Sequence, residues 1–215
     1  MSFQRPPKTP HGPLNRAFYL PRLSREHYQA DALVFWTLTI FDKAQGWLTP
    51  SFHHCFRELM FHAAAREGLL CPIYCLMPDH LHLIWMGLRP DSDQFNGMAF
   101  LRTYLEPELS PAKFQPQAQD KVLREEQRKR NAFAKACYYI AANPVRAGLI
   151  TGNEVWPFTG CVIPGYPKSN PADDDFWPAF WRIYGKLRQA DAGNIKRPPI
   201  GSNEITDSSR RLLRS

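Results

Sequence analysis

The sequence predicts an α+β fold, a ferredoxin-like sandwich with helices packed on an antiparallel sheet and an added C-terminal helix that carries tyrosines. The first observation is the order of segments: strand, helix, strand, strand, helix, strand, helix. The second is the length of 215 residues, which suits one compact domain with extensions better than two equal domains.

A buried strand and an amphipathic helix form the beginning of the domain. Residues 32–41 are rich in β-branched and aromatic side chains and lie between polar segments, which predicts a strand. Thr49 and Pro50 then offer a helix start. Apolar residues follow at three- and four-residue spacing until Gly68, which predicts one helix that ends near this glycine.

Two apolar runs, 73–77 and 81–88, are separated by Pro78 and Asp79, which predicts a tight hairpin between adjacent strands. His80 and His82 therefore open the second arm. Because alternate side chains of a strand share a face, both imidazoles point the same way and can bind one ion. Taken alone, such a pair also fits two partly buried, hydrogen-bonded histidines.

The second half of the domain is less regular. Residues 95–105 predict a short helix, and a proline-rich stretch follows it. Residues 120–124 predict the last short strand. The length, charge and periodicity of residues 125–142 predict a helix that ends at Asn143 and Pro144.

The helix before Pro144 has an apolar stripe against which other positions can be measured. On a helical wheel Tyr139 and Asn143 lie on one flank of this stripe, whereas Tyr138 lies about 150° away and faces outward. Tyr139 and Asn143 are four residues apart, so both side chains can approach one small site. The stripe consists of Phe133, Ala136, Cys137 and Ile140.

Two imidazoles and an amide oxygen leave several positions open around a divalent cation, which favours Mg²⁺ or Mn²⁺ over structural zinc. A zinc cluster of Cys71 and Cys75 with the histidines is the weaker alternative, because on a strand these cysteines lie far from His80. The five cysteines are odd in number and contain no Cys-x-x-Cys pair, which argues against a disulfide framework.

The composition favours a polyanionic partner. Lys and Arg outnumber Asp and Glu by 27 to 20, giving a formal charge of +7, and nucleic acid is the leading candidate. We expect no membrane partner, since no stretch approaches the length of a membrane helix and the N-terminus lacks the apolar region of a secretory signal. The predicted location is cytoplasmic, in association with a bacterial nucleoid.

Four regions are predicted along the chain. Residues 1–27 form a basic, proline-containing arm, and residues 28–160 form the domain that carries the histidines and tyrosines. Residues 161–192 form an aromatic extension whose helix covers 176–188, with docking onto the core favoured over stacking on bases. Residues 193–215 form a basic tail that we expect to be disordered.

Two motifs carry a resemblance to a known family. The segment 77–83 (MPDHLHL) resembles the histidine motif of the single-tyrosine HUH transposases of the insertion-sequence-200-like type, and residues 139–149 (YIAANPVRAGL) are similar to their tyrosine-helix signature. The match is nearest to the REP-associated tyrosine transposases and weaker similarity spans 28–160. Residues 114–119 depart from the aromatic-containing segment that family members usually carry there.

The resemblance implies a metal-dependent enzyme. It implies that His80 and His82 hold a divalent ion, that Asn143 is the third protein ligand and that Tyr139 is the nucleophile. The implied partner is single-stranded or hairpin DNA, cleaved and rejoined through a covalent 5′-phosphotyrosine. The family implies a monomer or a homodimer.

Two alternatives stay open from the sequence. The chain could be a catalytically inactive, domesticated DNA-binding or regulatory protein of the same fold. It could also be a small metallohydrolase that uses His80 and His82 without covalent chemistry, although this would leave the tyrosine-helix signature unexplained. Metal-dependent cleavage of a labelled hairpin oligonucleotide separates the inactive protein from the strand-transferring enzyme. Turnover that survives the loss of Tyr139 would indicate the metallohydrolase.

Overall fold

The computed structural model describes residues 21–123, 131–152 and 154–192. Within these residues the α-helices lie on both faces of a five-stranded sheet. The strands are β1 (Leu33–Thr39), β2 (Leu69–Met77), β3 (His80–Gly87), β4 (Gln119–Val122) and β5 (Thr159–Val162), and the helices are α1 (Pro50–Glu67), α2 (Gln94–Leu105), α3 (Ala132–Arg146) and α4 (Phe176–Ala192).

The sheet order is β4-β1-β3-β2-β5, and every neighbouring pair is antiparallel. The first four strands therefore have the arrangement of a ferredoxin-like sandwich, which confirms the predicted fold class. The helix α1 begins as predicted, because the Thr49 side chain accepts a hydrogen bond from the Phe52 amide and Pro50 occupies the first turn. It ends at Gly68, whose φ of 62° is left-handed.

The predicted hairpin is also present. Met77 pairs with His80, so Pro78 and Asp79 form a two-residue turn between β2 and β3. The carbonyl of Asp79 accepts a hydrogen bond of 2.9 Å from the Ile40 amide, which fastens this turn to the end of β1. Strand β2 begins at residue 69, earlier than predicted, and its pairing is irregular around Pro72, which cannot donate to the ladder.

The strand predicted to be the last is not the last. Residues 119–122 form β4, but Thr159–Val162 form β5, which pairs with β2 in the segment expected to be an irregular connection. The Trp156 indole donates a hydrogen bond of 2.7 Å to the Leu76 carbonyl and fixes the approach to β5. The boundary placed at residue 160 falls inside this strand.

The tyrosine-bearing helix differs from its prediction in two ways: it does not include Asn131, and its C-terminal end lies beyond Pro144. Asn131 has a left-handed φ of 59°, so no single helix runs through it, and residues 125–130 lie outside the described part of the chain. The helix also continues past Pro144 to Arg146. Proline near the end of a helix removes one backbone hydrogen bond, but the next turn still closes here.

The turn closes because the amides of Gly148 and Leu149 donate to the carbonyls of Val145 and Pro144, at 3.0 and 2.9 Å. This is the hydrogen-bond pattern of a Schellman motif, with left-handed Gly148 as its glycine. Gly148, rather than Pro144, therefore ends α3.

The two faces of the sheet have separate cores. One core packs beneath α1 and α2 and contains the large side chains Trp36, Tyr74 and Trp85, all fully buried. The other packs beneath α3 and α4 and includes Ile140 and Phe180. Phe180 is 1% exposed, so α4 docks on the domain, as the sequence favoured.

The described part of the N-terminal arm contacts the domain. Arg22 forms an ion pair of 3.0 Å with Asp120 on β4, and the Tyr28 hydroxyl donates a hydrogen bond to the same carboxylate. Arg25 forms an ion pair of 2.8 Å with Asp93 at the start of α2. The tail predicted to be disordered, residues 193–215, lies outside the described residues.

Candidate active site

His80 and His82 lie side by side on the face of β3 that is turned toward α3. Their Nε2 atoms are 3.1 Å apart, and the ring planes are inclined at 73°. This confirms that strand alternation brings both imidazoles to one point. At this distance the two nitrogens can form one hydrogen bond if one of them carries a proton, and both can bind one cation if neither does.

The opposite nitrogen of each imidazole has its own partner. The Nδ1 of His80 lies 2.6 Å from the Asp79 carboxylate, and the Nδ1 of His82 lies 2.9 Å from the Thr37 hydroxyl on β1. When it is ionised, the Asp79 carboxylate can only accept, so it favours the His80 tautomer with a lone pair on Nε2. The Thr37 hydroxyl can donate or accept, so it is compatible with the same tautomer of His82. Asp79, expected to be a turn residue, is in the turn and also orients His80.

Burial keeps His82 neutral. It is 5% exposed, and burial followed by the nearby charge of His80 lowers the pKa of His82 to about 3, although the carboxylate of Asp79 opposes this. A neutral imidazole is the form that binds a metal ion. The Nε2 atom of His82 is therefore a competent ligand atom at neutral pH.

The geometry of the pair fits two adjacent ligands of one divalent ion. Two nitrogens bound at about 2.1 Å and at a right angle lie about 3.0 Å apart, close to the observed 3.1 Å. Among the residues that the structure describes, no group of three or more His, Cys, Asp and Glu side chains could hold a metal.

Tyr139 of α3 packs against this pair. The centroid of its ring lies 5.7 Å from that of His82 and 6.0 Å from that of Phe35 on β1. Tyr139 is 41% exposed, whereas Tyr138 is 76% exposed and faces outward. The positions on the helical wheel therefore predicted correctly that Tyr138 faces outward, and it is Tyr139 whose ring lies beside His82.

Asn143 is buried one turn after Tyr139, with a relative exposure of 9%. Its amide nitrogen donates a hydrogen bond of 2.8 Å to the Tyr139 carbonyl. This bond fixes the carboxamide and leaves the amide oxygen as the atom suited to a metal ion. The role of Asn143 as a ligand stays a prediction.

Three side chains around the site were not identified from the sequence. Thr37 and Phe35 belong to β1, directly opposite His82 and Ile84 on β3, and their register cannot be read from either segment alone. The third is Arg146, whose guanidinium carbon lies 4.8 Å from the centroid of the Tyr139 ring. Its spacing of seven residues is two helical turns, but the stop expected at Pro144 concealed this signal.

A concavity borders the side of α3 that carries Tyr138. It is a cavity of about 930 Å³ between α3 and α4, lined by the aromatic side chains of Tyr138, Trp156, Trp177 and Trp181. Tyr139 does not line it. The helix α3 therefore separates this cavity from the histidines.

In the segment 114–119, which departs from the family pattern, Phe114 and Ala118 are buried in the core. Phe114 is 3% exposed and lies under the guanidinium of Arg102, at 5.4 Å, and it bridges to Ile40 at the end of β1. Gln119 follows as the first residue of β4, opposite Thr37. The departure therefore leaves the strand next to the site in place.

Comparisons with known proteins support the fold. No protein-family model and no curated protein matches the chain. Among solved structures, the chain is similar to a REP-associated tyrosine transposase bound to a REP hairpin, with 18% identity and a TM-score of 0.54. The match covers 87% of this chain and 100% of that one. At this identity the likeness shows the α+β fold.

None of the helices in the described ranges combines the length and the apolar composition that crossing a bilayer requires.

Proposed function

We propose that the chain is a metal-dependent transposase or endonuclease that cleaves and rejoins single-stranded, hairpin-bearing DNA through a 5′-phosphotyrosine at Tyr139. The observation that carries this proposal is the packing of the Tyr139 ring against His82, whose Nε2 faces that of His80. DNA as substrate is supported by the hairpin bound to the structural neighbour and by the formal charge of +7.

The proposed reaction is a transesterification. The oxygen of Tyr139 attacks the phosphorus of a phosphodiester, so that a bond forms between this oxygen and phosphorus. The bond from phosphorus to the 3′ oxygen breaks. The phenol proton passes to solvent, and the released 3′ oxygen takes up a proton to become a hydroxyl. Because one ester replaces another, the strand can later be rejoined.

His80 and His82 would hold the ion, Mg²⁺ or Mn²⁺, with the Asn143 amide oxygen as third protein ligand. When bound, such an ion polarises the phosphate and stabilises the leaving oxygen. Thr37 and Asp79 orient the two imidazoles through Nδ1, at 2.9 and 2.6 Å. Phe35 supports both the nucleophile and His82 from below, because its ring contacts each of theirs.

The two neighbouring tyrosines provide a matched test. A labelled hairpin oligonucleotide is incubated with the protein and Mn²⁺ or Mg²⁺, and covalent adducts are separated on a denaturing gel. We expect an adduct with the natural protein and with Tyr138→Phe, and none with Tyr139→Phe or with EDTA. An adduct formed by Tyr139→Phe would reject Tyr139 as the nucleophile.

The same gel separates the alternatives. A catalytically inactive, regulatory protein binds the hairpin and gives neither adduct nor cleavage with either metal. A metallohydrolase gives cleaved product without an adduct, and its turnover survives Tyr139→Phe.

A further inference from the structure

The Tyr139 ring has three described neighbours, two rings and a guanidinium. Below it lie the rings of His82 and Phe35 on the sheet, at centroid distances of 5.7 and 6.0 Å. The guanidinium carbon of Arg146 lies 4.8 Å from its centroid. A guanidinium at this distance is attracted by the electrons of an aromatic ring. The phenol ring therefore contacts two rings of the sheet and one cation.

Arg146 reaches this position because α3 continues past Pro144. Seven residues are nearly two turns, so Arg146 and Tyr139 lie on the same flank of the helix. The hydrogen bonds that end the helix at Gly148 fix the turn that contains Arg146. A helix that stopped at Asn143 would leave this side chain without a defined position.

The guanidinium has donors to spare in this arrangement. A cation–π contact does not use up the N–H donors of a guanidinium, and their planar fork matches the oxygens of a phosphate. Within residues 21–123, 131–152 and 154–192, no carboxylate forms an ion pair with Arg146. The side chain is exposed, so a phosphate that approaches Tyr139 can reach it.

We infer that Arg146 is a catalytic residue that lies over the Tyr139 ring and donates hydrogen bonds to a non-bridging oxygen of the phosphate under attack. It holds the attacking oxygen and the phosphorus in register while the O–P bond forms and the bond to the 3′ oxygen breaks. The inference rests on the proposed function and adds a residue to it. Arg146 itself exchanges no proton.

The test is the single-turnover rate of adduct formation, measured beside the Kd for the hairpin. Loss of a positioned donor of this type costs about 100-fold in rate. We expect this loss for Arg146→Ala, with a Kd within about threefold of the natural value, because one phosphate contact among several contributes little to affinity. Guanidinium chloride at about 20 mM should restore part of the rate, and the same concentration of KCl should not.

Two further variants keep the test sharp. Arg188→Ala is the matched control, since Arg188 also stacks on a tyrosine, Tyr184 at 5.7 Å, but lies on α4; we expect a rate within about twofold of the natural one. Arg146→Lys keeps the charge without the planar fork, and we expect at least a tenfold loss. If Arg146→Ala does not fold, the rate measured for Arg146→Lys tests the inference in its place.

Each outcome has a separate meaning. A natural rate in Arg146→Ala and Arg146→Lys would overturn this inference and leave the proposed function intact. Equal losses in rate and affinity would make Arg146 a simple binding contact and also overturn it. No adduct with the natural protein would overturn the proposed function, and this inference with it.

Discussion

The two faces of the sheet are formed by the same strands, but one carries apolar core side chains and the other carries the candidate site. On β3, Leu81 and Leu83 face α1 and α2 in a core where both are fully buried. His80 and His82, which alternate with these leucines along the strand, face α3. The alternation of side chains along β3 therefore places the leucines in the core and the histidines in the candidate site.

The difference lies also in how each face is covered. Beneath α1 and α2, buried aromatic and aliphatic side chains fill the face of β1 through Trp36 and Leu38. On the other face of β1, the Phe35 ring packs against His82, and the Thr37 hydroxyl lies within hydrogen-bond distance of its Nδ1. A polar position on this strand is tolerated where it orients a functional group. The comparison predicts that the two faces respond to mutation in different observables.

The largest expected effect is on catalysis. His82→Ala removes one of the two nitrogens proposed to hold the ion, and we expect the rate of adduct formation to fall by about 1000-fold, which corresponds to about 4 kcal/mol. The measurement is single-turnover cleavage of the hairpin with Mn²⁺. A variant that keeps a tenth of the natural rate would contradict the assignment of this face to metal binding.

The neighbouring residue is expected to affect stability instead. Leu83→Ala removes a fully buried side chain from the core beneath α1 and α2, and such changes cost about 2–5 kcal/mol. Urea unfolding measures this loss, and we expect the folded variant to cleave within about threefold of the natural rate. If Leu83→Ala were stable but inactive, the two faces would not be independent.

The α1 face also contains a pH-dependent hydrogen-bond chain. Arg57 donates to the Tyr74 hydroxyl at 2.9 Å, and this hydroxyl lies 2.8 Å from Nε2 of His53. Burial, followed by the charges of Arg57 and His54, lowers the pKa of His53 to about 4. A neutral Nε2 accepts the tyrosine proton, whereas a protonated one cannot.

The unfolded chain takes up this proton at about pH 6.5, and the folded chain at about pH 4. The free energy of unfolding therefore falls as the pH is lowered through this window, and it keeps the full contribution above pH 6.5. Because His53 is partly exposed, we expect only about 1–2 kcal/mol. Urea unfolding of His53→Gln should show a smaller loss between pH 7 and pH 4.5. Equal losses of unfolding free energy in the natural protein and in His53→Gln would contradict a stabilising role of the hydrogen bond between His53 and Tyr74.

The smallest effect is expected at the end of α3. Gly148 has a φ of 69° and open space where a Cβ would lie, so Gly148→Ala costs backbone strain of about 1 kcal/mol. Gly152→Ala is the matched control, since Gly152 has equal space and no such φ. Thermal unfolding should distinguish the two variants. Equal stability would show that the Schellman turn does not fix this helix end.

Much of the first half of the fold could be predicted from the sequence because its signals are local. Thr49, Pro50 and Gly68 define α1, and Pro78 with Asp79 defines the hairpin, all within short segments. Strand β5 could not be predicted in this way, because it is four residues long and is held by pairing with β2, which is distant in the sequence. Pairing of this kind leaves no local pattern.

The candidate site divides in the same manner. The periods of a strand and a helix sufficed to place His80 beside His82 and to prefer Tyr139 over Tyr138. Thr37 could not be found, because it depends on the register between β1 and β3. Arg146 could not be found, because the stop expected at Pro144 was overridden by the turn that ends at Gly148.

The most direct test of the central claim is to locate the covalent bond on the polypeptide. The adduct formed by the natural protein with the hairpin oligonucleotide is digested with nuclease and protease, and the modified peptide is sequenced by tandem mass spectrometry. We predict a nucleotide joined through its 5′-phosphate to the oxygen of Tyr139. The same mass on Tyr138, or on a residue outside α3, would contradict it.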